Sequence, residues 1–333
     1  MKGKRKDKKK LEEEGDKVML TKEMVYASLE NFGVLPNSSQ IGFLSLKLNN
    51  KELEHLNNNI SDVKHIIHVD ISNNLLIDIT HITTFDKIQT LNASSNRIVK
   101  LPQIAEEDKF QNLVWLDLSN NKMIEIPQFK VPKLKFLNLS GNGITKYERI
   151  EGGHPNLEVF KGNGNKLRSL YFFKDFPKLR ELYLNENTIT TVTDYENLPE
   201  LRILKLKDNK IVKFEEESLP ELPSLQTIIL SKNKLNNMDM IKKFVVFPLL
   251  TKINIIETPF HINNGEYTIA ELLIVNPKLK IINKVKIEDI HYKEMLLLSE
   301  QKWKKSEAER IERERLEKEQ AEKEANANNE ENS

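Results

Sequence analysis

The stretch L-R-E-L-Y-L-N-E-N-T-I-T-T-V, residues 179–192, decides the fold. Around Leu182 and Leu184 the side chains alternate as they do in a short strand, where successive residues go to opposite faces. The chain must turn after Leu184, and Asn187 stands where it turns. An Asn side chain carries both donors and an acceptor, so it can satisfy backbone groups that the turn takes away from a ladder. The same spacing, L-x-x-L-x-L-x-x-N-x-L, recurs ten times between Phe43 and Phe260. Its fourth position is Leu46, Val69, Leu91, Leu116, Leu137, Phe160, Leu182, Leu204, Ile228 and Ile253, in steps of 21 to 25 residues.

An apolar register held over two hundred residues at this period is the mark of an α/β leucine-rich-repeat solenoid, with a parallel concave sheet and a convex side of 3₁₀ turns or short helices. The turn asparagines are Asn74, Asn96, Asn121, Asn142, Asn165, Asn187, Asn209 and Asn233. Stacked, they form a structural hydrogen-bonded ladder inside the coil. Seven of the twelve prolines (Pro132, Pro155, Pro177, Pro199, Pro223, Pro248, Pro277) stand two residues before a structural leucine. With φ fixed and no N–H, proline suits the end of a convex turn just ahead of a strand.

No unit buries its apolar face alone, so both ends need covers. At the front, residues 17–42 read as a helical cap. Thr21 is the N-cap of a helix over about 22–31, Leu20 and Val25 have staple spacing, and Gly33 is the stop. The repeats occupy 43–260. At the back, Thr258-Pro259-Phe260 replaces the turn asparagine, and residues 261–285 form a C-terminal repeat cap. Residues 286–325 read as a charged extended helix. In it Glu309/Arg313, Glu314/Lys318 and Glu319/Lys323 have the acid-first i,i+4 order. No heptad is sustained, so the pattern is less that of a coiled coil than of a charged single helix projecting from the cap. Residues 326–333 read as a disordered tail and 1–16 as a disordered basic arm. Residues 2–10, K-G-K-R-K-D-K-K-K, hold seven bases and one acid. That arm reads as a nuclear address, as a handle on an acidic surface, or as a solvating extension.

Composition narrows the function. The formal net charge of +1 gives no global steering toward nucleic acid or membrane, and zero cysteines removes disulfides and thiolate chemistry. The charged N-terminus is unlike a signal peptide and no run is long enough for a membrane helix, so a soluble intracellular protein is expected. No nucleophile elbow, H-E-x-x-H pair or kinase signature is present. Gly141-Asn142-Gly143 and Gly162-Asn163-Gly164 lack the Lys-Ser/Thr of a phosphate loop, and His65 and His68 lack a third ligand. We expect no enzyme, no catalytic residue, no cofactor and no metal.

Binding residues are expected on the strand positions that face the concave side. From the fourth repeat the third positions are Trp115, Phe136, Val159, Glu181 and Ile203, and the fifth include Lys161, Tyr183 and Lys205. At about 4.8 Å per strand, Trp115 to Ile203 spans roughly 20 Å. Aromatics with nearby charge are what partner hot spots favour; the alternative is that the cap or the tail folds back over them. On the C-terminal helix, Met295 to Leu298 and Trp303 are apolar enough to pack on the last repeats or to dock a partner, with Leu297 and Trp303 as the partner-binding choices.

Segments outside the repeat consensus narrow the reading further. They are Leu20-Thr21-Lys22-Glu23-Met24-Val25 with Ser28-Leu29, the odd first repeat Phe43 to Leu48 with Lys51 where Asn is expected, Val69 to Asn74, and Ala308 to Arg313 in the tail. Over about residues 18–325 the chain resembles the ciliary leucine-rich-repeat-containing protein twenty-three family, a component of axonemal radial spokes. The resemblance implies a structural scaffold in the ciliary axoneme at the head of the third spoke. It implies other spoke proteins as partners, with no small-molecule substrate, membrane or nucleic acid. The competing readings are a phosphatase-regulating adaptor and a nuclear RNA-particle protein.

Overall fold

In the computed structural model the described residues are 18–331, apart from 37, 102–109, 127–130, 146–153, 175, 193–197, 213–221 and 246. The basic arm therefore lies outside the described residues. One sheet runs through the molecule in sequence order. Its strands are β1 (Leu29–Val34), β2 (Ile41–Lys47), β3 (His68–Asp70), β4 (Thr90–Asn92), β5 (Trp115–Asp117), β6 (Phe136–Asn138), β7 (Val159–Lys161), β8 (Glu181–Tyr183), β9 (Ile203–Lys205), β10 (Thr227–Ile229), β11 (Lys252–Asn254), β12 (Ile281–Ile282) and β13 (Val285–Lys286). From β2 to β12 every neighbour is parallel, and only the outermost strands β1 and β13 turn back antiparallel. The fold is thus a leucine-rich-repeat solenoid whose parallel sheet ends on each side in an antiparallel hairpin, with β1 and β13 as its edge strands.

The register explains the period. Leu137 pairs with Phe160, Phe160 with Leu182, and Leu182 with Leu204, so one repeat is one strand step. In each three-residue strand from β4 to β10 the middle side chain is buried and its neighbours are half-buried. Behind the sheet the leucines of all units merge into one continuous core.

Each turn asparagine bonds two units. Asn187 Nδ2 donates to Gly162 O in the preceding unit (2.9 Å) and to Leu184 O in its own (3.1 Å), while its Oδ1 accepts from Leu167 N (3.1 Å). Asn74, Asn96, Asn121, Asn142, Asn165, Asn209 and Asn233 repeat this triad. The residue just before the asparagine takes positive φ in every unit, including Asn73 (53°), Gly141 (66°), Gly164 (62°), Glu186 (57°) and Lys232 (58°). Where the column ends, Thr258 is fully buried and donates to Ile255 O (2.8 Å), and Asn283 Oδ1 accepts from Ile255 N (2.8 Å).

The prolines sit at the second position of a recurrent tight turn. Leu134 N donates to Val131 O, Leu157 N to His154 O, Leu179 N to Phe176 O and Leu201 N to Leu198 O, each across an X-Pro step. The fixed φ of proline suits that corner. The first turn position is a core position, filled by Phe85, Phe110, Val131, Phe176, Leu198, Leu222 and Phe247, all buried. In one unit it is His154, 1% exposed, with its ring 6.0 Å from that of Phe176. Burial pushes the imidazole pKa down to about 4.

Several expectations need correction. The first helix, α1 (Lys22–Ala27), has Thr21 as N-cap, its Oγ1 accepting from Met24 N (3.2 Å), and buries Leu20 and Val25. It ends at Ala27, short of 31, because Leu29–Val34 is drawn into β1 to pair with β2. Gly33 is therefore a strand residue, and a Cβ there would stand 3.3 Å from the Leu44 side chain. On the convex side Asn58–Val63 and Thr80–Thr84 are 3₁₀ turns, but Met238–Val245 is a two-turn helix, α2. The 25-residue step from Ile228 to Ile253 gives it room. The cap then holds α3 (Pro259–Asn264), a 3₁₀ turn (Gly265–Tyr267) and α4 (Thr268–Val275). The last helix, α5 (Asp289–Glu331), passes residue 325, since no Gly or Pro interrupts the Ala- and Glu-bearing segment beyond it. Its ion pairs join Glu300 with Lys304 (2.7 Å), Glu307 with Arg310 (2.6 Å) and Glu312 with Arg315 (3.3 Å) in place of Glu309/Arg313 and Glu314/Lys318. Exposed pairs differ by a few tenths of a kcal/mol, so the arginines settle on whichever carboxylate their long stems reach. The Lys323 side chain lies outside the described residues.

Two outcomes follow from this packing. Gly162 replaces the consensus leucine because a Cβ there would stand 2.8 Å from the ring of Phe160, itself in a leucine position. Restoring the consensus by Gly162→Leu alone destabilises by about 1–3 kcal/mol through overpacking. Denaturant unfolding of Gly162→Leu, Phe160→Leu and the double variant should find the double variant more stable than the sum of the singles. Burial of His154 makes the fold sensitive to acid. The unfolded imidazole takes up a proton near its ordinary 6.5 and the buried one only near 4, so stability is full above 6.5 and is lost as pH falls from there toward 4. The loss at pH 5 is about 2 kcal/mol. Melts of the native chain and of His154→Leu at pH 7 and pH 5 should differ by that amount in their acid sensitivity.

Candidate partner-binding surface

The alternation that buries Leu116, Leu137, Phe160, Leu182 and Leu204 turns the flanking side chains of β5–β9 out onto the concave face. Register then sets them in rows. Trp115, Phe136, Val159, Glu181 and Ile203 are successive neighbours in one row, and Asp117, Asn138, Lys161, Tyr183 and Lys205 in the next.

Within this surface the rings and ammonium groups form a ladder. The Trp115 and Phe136 rings stack with centroids 5.1 Å apart and planes 8° from parallel. Lys161 Nζ stands 5.2 Å from the Phe136 centroid and 5.6 Å from that of Tyr183, and Lys205 Nζ stands 4.7 Å from Tyr183 on its other side. Each cation–π contact contributes about 0.5–1 kcal/mol at such sites, so the side chains are held upright before any partner arrives. The Tyr183 hydroxyl donates to Glu181 Oε2. Burial first, and then this hydrogen bond and the carboxylate charge, push the phenol pKa up to about 12. Tyr183 is therefore a neutral donor across the physiological range. Val159 and Ile203 flank the ladder as half-buried aliphatics. Trp115, Phe136, Val159, Lys161, Tyr183, Ile203 and Lys205 thus lie on one continuous patch.

Leu297 and Trp303 do not join it. They are 61% and 65% exposed on α5, which packs against α4 at the end of the solenoid. Tyr292 Oη donates to Pro277 O (3.2 Å) and Lys302 Nζ to Glu271 Oε2 (2.5 Å), fastening the helix there. Leu297 and Leu298 border a cleft of about 330 Å³ with Tyr267 and Ala270. Met295 packs on the core, while Leu296 is exposed.

The concave surface runs on past the positions that the sequence reading picked out. Beyond Lys205 a groove of about 460 Å³ is bordered by Lys207, Lys232, Lys252 and Lys284. The strand pattern pointed to positions three and five of each unit; Lys207 stands at the seventh, which reads as turn, and Lys284 in the cap hairpin. At the opposite end Phe32 and Phe43 meet edge to face at 5.3 Å on the β1–β2 hairpin. Among the described residues no group of three or more His, Asp or Glu is placed to hold a metal ion, and no helix is long and apolar enough to cross a membrane.

Known proteins agree with this architecture. The family model described as "Leucine Rich repeats (2 copies)" matches residues 111–152. Tsukushi from Gallus gallus is 28% identical over 200 residues, covering 57% of this chain and 54% of that one. The protein phosphatase 1 regulatory inhibitor subunit PPP1R7 homolog from Arabidopsis thaliana is 26% identical over 172 residues, half of each chain. The chain spans about half the length of these two relatives. The crystal structure of the TLR13-ssRNA13 complex superposes with a TM-score of 0.56 at 24% identity, over 64% of this chain and 32% of that one. At that identity the likeness is one of fold.

The patch and the core under it separate in a stability measurement. Trp115→Ala and Phe136→Ala each cost about 1 kcal/mol or less, as half-exposed positions do. Leu137→Ala, beside them and fully buried, costs about 2–5 kcal/mol. Chemical unfolding of the three variants is the check.

Proposed function

We propose that this leucine-rich-repeat solenoid is a non-enzymatic scaffold that captures a protein partner on its concave face. The observation that carries the reading is the Trp115–Phe136 stack, half-exposed and continued by the Lys161–Tyr183–Lys205 ladder. Folding requires only the alternate, inward residues, so an aromatic row on the outward positions has its use outside the fold. The ladder is also pre-ordered, which lowers the conformational cost of binding.

The finer reading is a structural part of the ciliary axoneme, at the head of the third radial spoke, in the cytoskeletal compartment of a motile cell. It rests on the resemblance carried by Leu20 to Val25, the irregular first repeat and the Ala308 to Arg313 segment. A second reading, a phosphatase-regulating adaptor, is favoured by the similarity to the Arabidopsis phosphatase subunit over half the chain. In it the same concave face would hold the phosphatase.

Fractionation of a motile ciliated cell separates the two. An axonemal part stays in demembranated cilia after detergent and leaves only in high salt. An adaptor is recovered from soluble or nuclear material in a stoichiometric complex with a phosphatase catalytic subunit. The combined Trp115→Ala, Phe136→Ala variant should lose its retention or its complex while remaining folded. Unchanged capture by a folded double variant would sink the concave-face reading.

A further inference from the structure

The concave face is not uniform in charge. Several surface lysines stand against carboxylates, among them Lys22 with Asp62 (2.8 Å), Lys47 with Glu30 (2.6 Å), Lys135 with Glu158 (2.9 Å) and Lys302 with Glu271 (2.5 Å). On the C-terminal half of the concave floor five lysines gather around one groove. Lys205 and Lys207 on the β9 unit and Lys252 on β11, two strand steps away, are half-buried and, with Lys284, border the groove of about 460 Å³. Among the described residues none of the four has a carboxylate within ion-pair distance. Lys232 and Glu257 also border the groove and stand 3.5 Å apart, which leaves four lysines there without such a pair. Glu181 is engaged by the Tyr183 hydroxyl, and Lys161 and Lys205 stand against aromatic faces.

Like charges gathered in a concavity repel one another and focus a positive potential toward its centre. The net charge of the whole chain is only +1, so this potential belongs to the groove and not to the protein at large. The aromatic stack lies on β5 and β6 and these lysines on β9, on β11 and in the turns after β9 and β12, so an apolar and a basic surface share one trough. From β5 to β11 the trough crosses six strand steps, about 29 Å. An extended chain covers that in about nine residues.

We propose that the occupant of this trough is an extended acidic polypeptide segment, its carboxylates on Lys205, Lys207 and Lys252 and an apolar side chain on the Trp115–Phe136 stack. The proposal rests on the concave-face scaffold reading and adds to it the chemistry of the partner. Nucleic acid fits less well. The floor offers lysines and no arginine fork, fewer cations than the six to ten phosphate contacts typical of such binding. It also carries the aliphatic Ile229 and Ile256 among them, which suit the side chains of a peptide and offer nothing to a phosphate chain.

The test uses the full chain and three fluorescent probes. One is a peptide of about nine residues, rich in glutamate, with a leucine near one end. The second is the same peptide with every Glu replaced by Gln, and the third a single-stranded oligouridylate. The acidic peptide should bind at least about tenfold tighter than its glutamine twin, and that preference should shrink as salt rises toward 0.15 M, where screening sets in within about 8 Å. Lys205→Met with Lys252→Met should abolish the preference, while Trp115→Ala with Phe136→Ala should weaken both peptides alike. Equal binding of the two peptides, with both weakened by the aromatic variant, overturns the acidic inference and leaves the scaffold reading standing. Peptide binding indifferent to the aromatic variant counts against both. Tighter binding of the oligouridylate, lost in the lysine variant, assigns the groove to RNA and overturns the proposal. No detectable binding of the acidic peptide at millimolar concentration and low salt overturns it too.

Discussion

The asparagine ladder is the constraint on which the rest depends. At each turn the chain leaves its strand and takes positive φ at the residue before the asparagine. That conformation is costly for residues such as Glu186 and Lys232, and the turn removes backbone groups from the sheet ladder. One side-chain amide answers both problems, because it bonds a carbonyl and an N–H of the preceding unit and a carbonyl of its own. A buried amide left without these partners would cost more than its bonds contribute, so the ladder holds only when successive units stay in register. Stacking is therefore cooperative, and the two ends need the antiparallel hairpins and the cap to terminate it.

A sheet made one strand per unit has a functional consequence. The same three-residue strand must bury its middle residue and leave its flanking residues outside, so each repeat contributes two concave side chains whose spacing is set by the backbone. In β5 to β9 those positions hold Trp115, Phe136, Lys161, Tyr183 and Lys205, and the strand spacing brings rings and ammonium groups within 6 Å of one another. Order in the binding face is in this way a by-product of order in the core. The rigid floor limits what can be bound to chains that match its row spacing.

The core tolerates departures from the repeat only in compensated pairs. Phe160 replaces a leucine and meets Phe173 edge to face at 5.0 Å, and Gly162 gives up the side chain that would collide with it. His154 is accepted in an apolar slot only as the neutral imidazole. Both couple neighbouring positions, so the repeats of this chain are not interchangeable although they share one backbone.

The sequence alone determined the solenoid, its register, the eight ladder asparagines and which residues face outward. Each follows from a period that chain geometry enforces locally, and Leu182, Glu181 and Asn187 can be read from their own unit. Only the tertiary structure decided what depends on neighbours distant in sequence. The segment after Ala27 looks helical until the open edge of β2 recruits it as a strand, since pairing backbone groups outweighs a weak local preference. His154 carries no signal of its own in the sequence, and only the turn that sets it among the core side chains buries it. Lys207, Lys252 and Lys284 lie far apart along the chain and become one basic groove only when the units stack, because charge in a trough is a property of position in space and not of order in sequence.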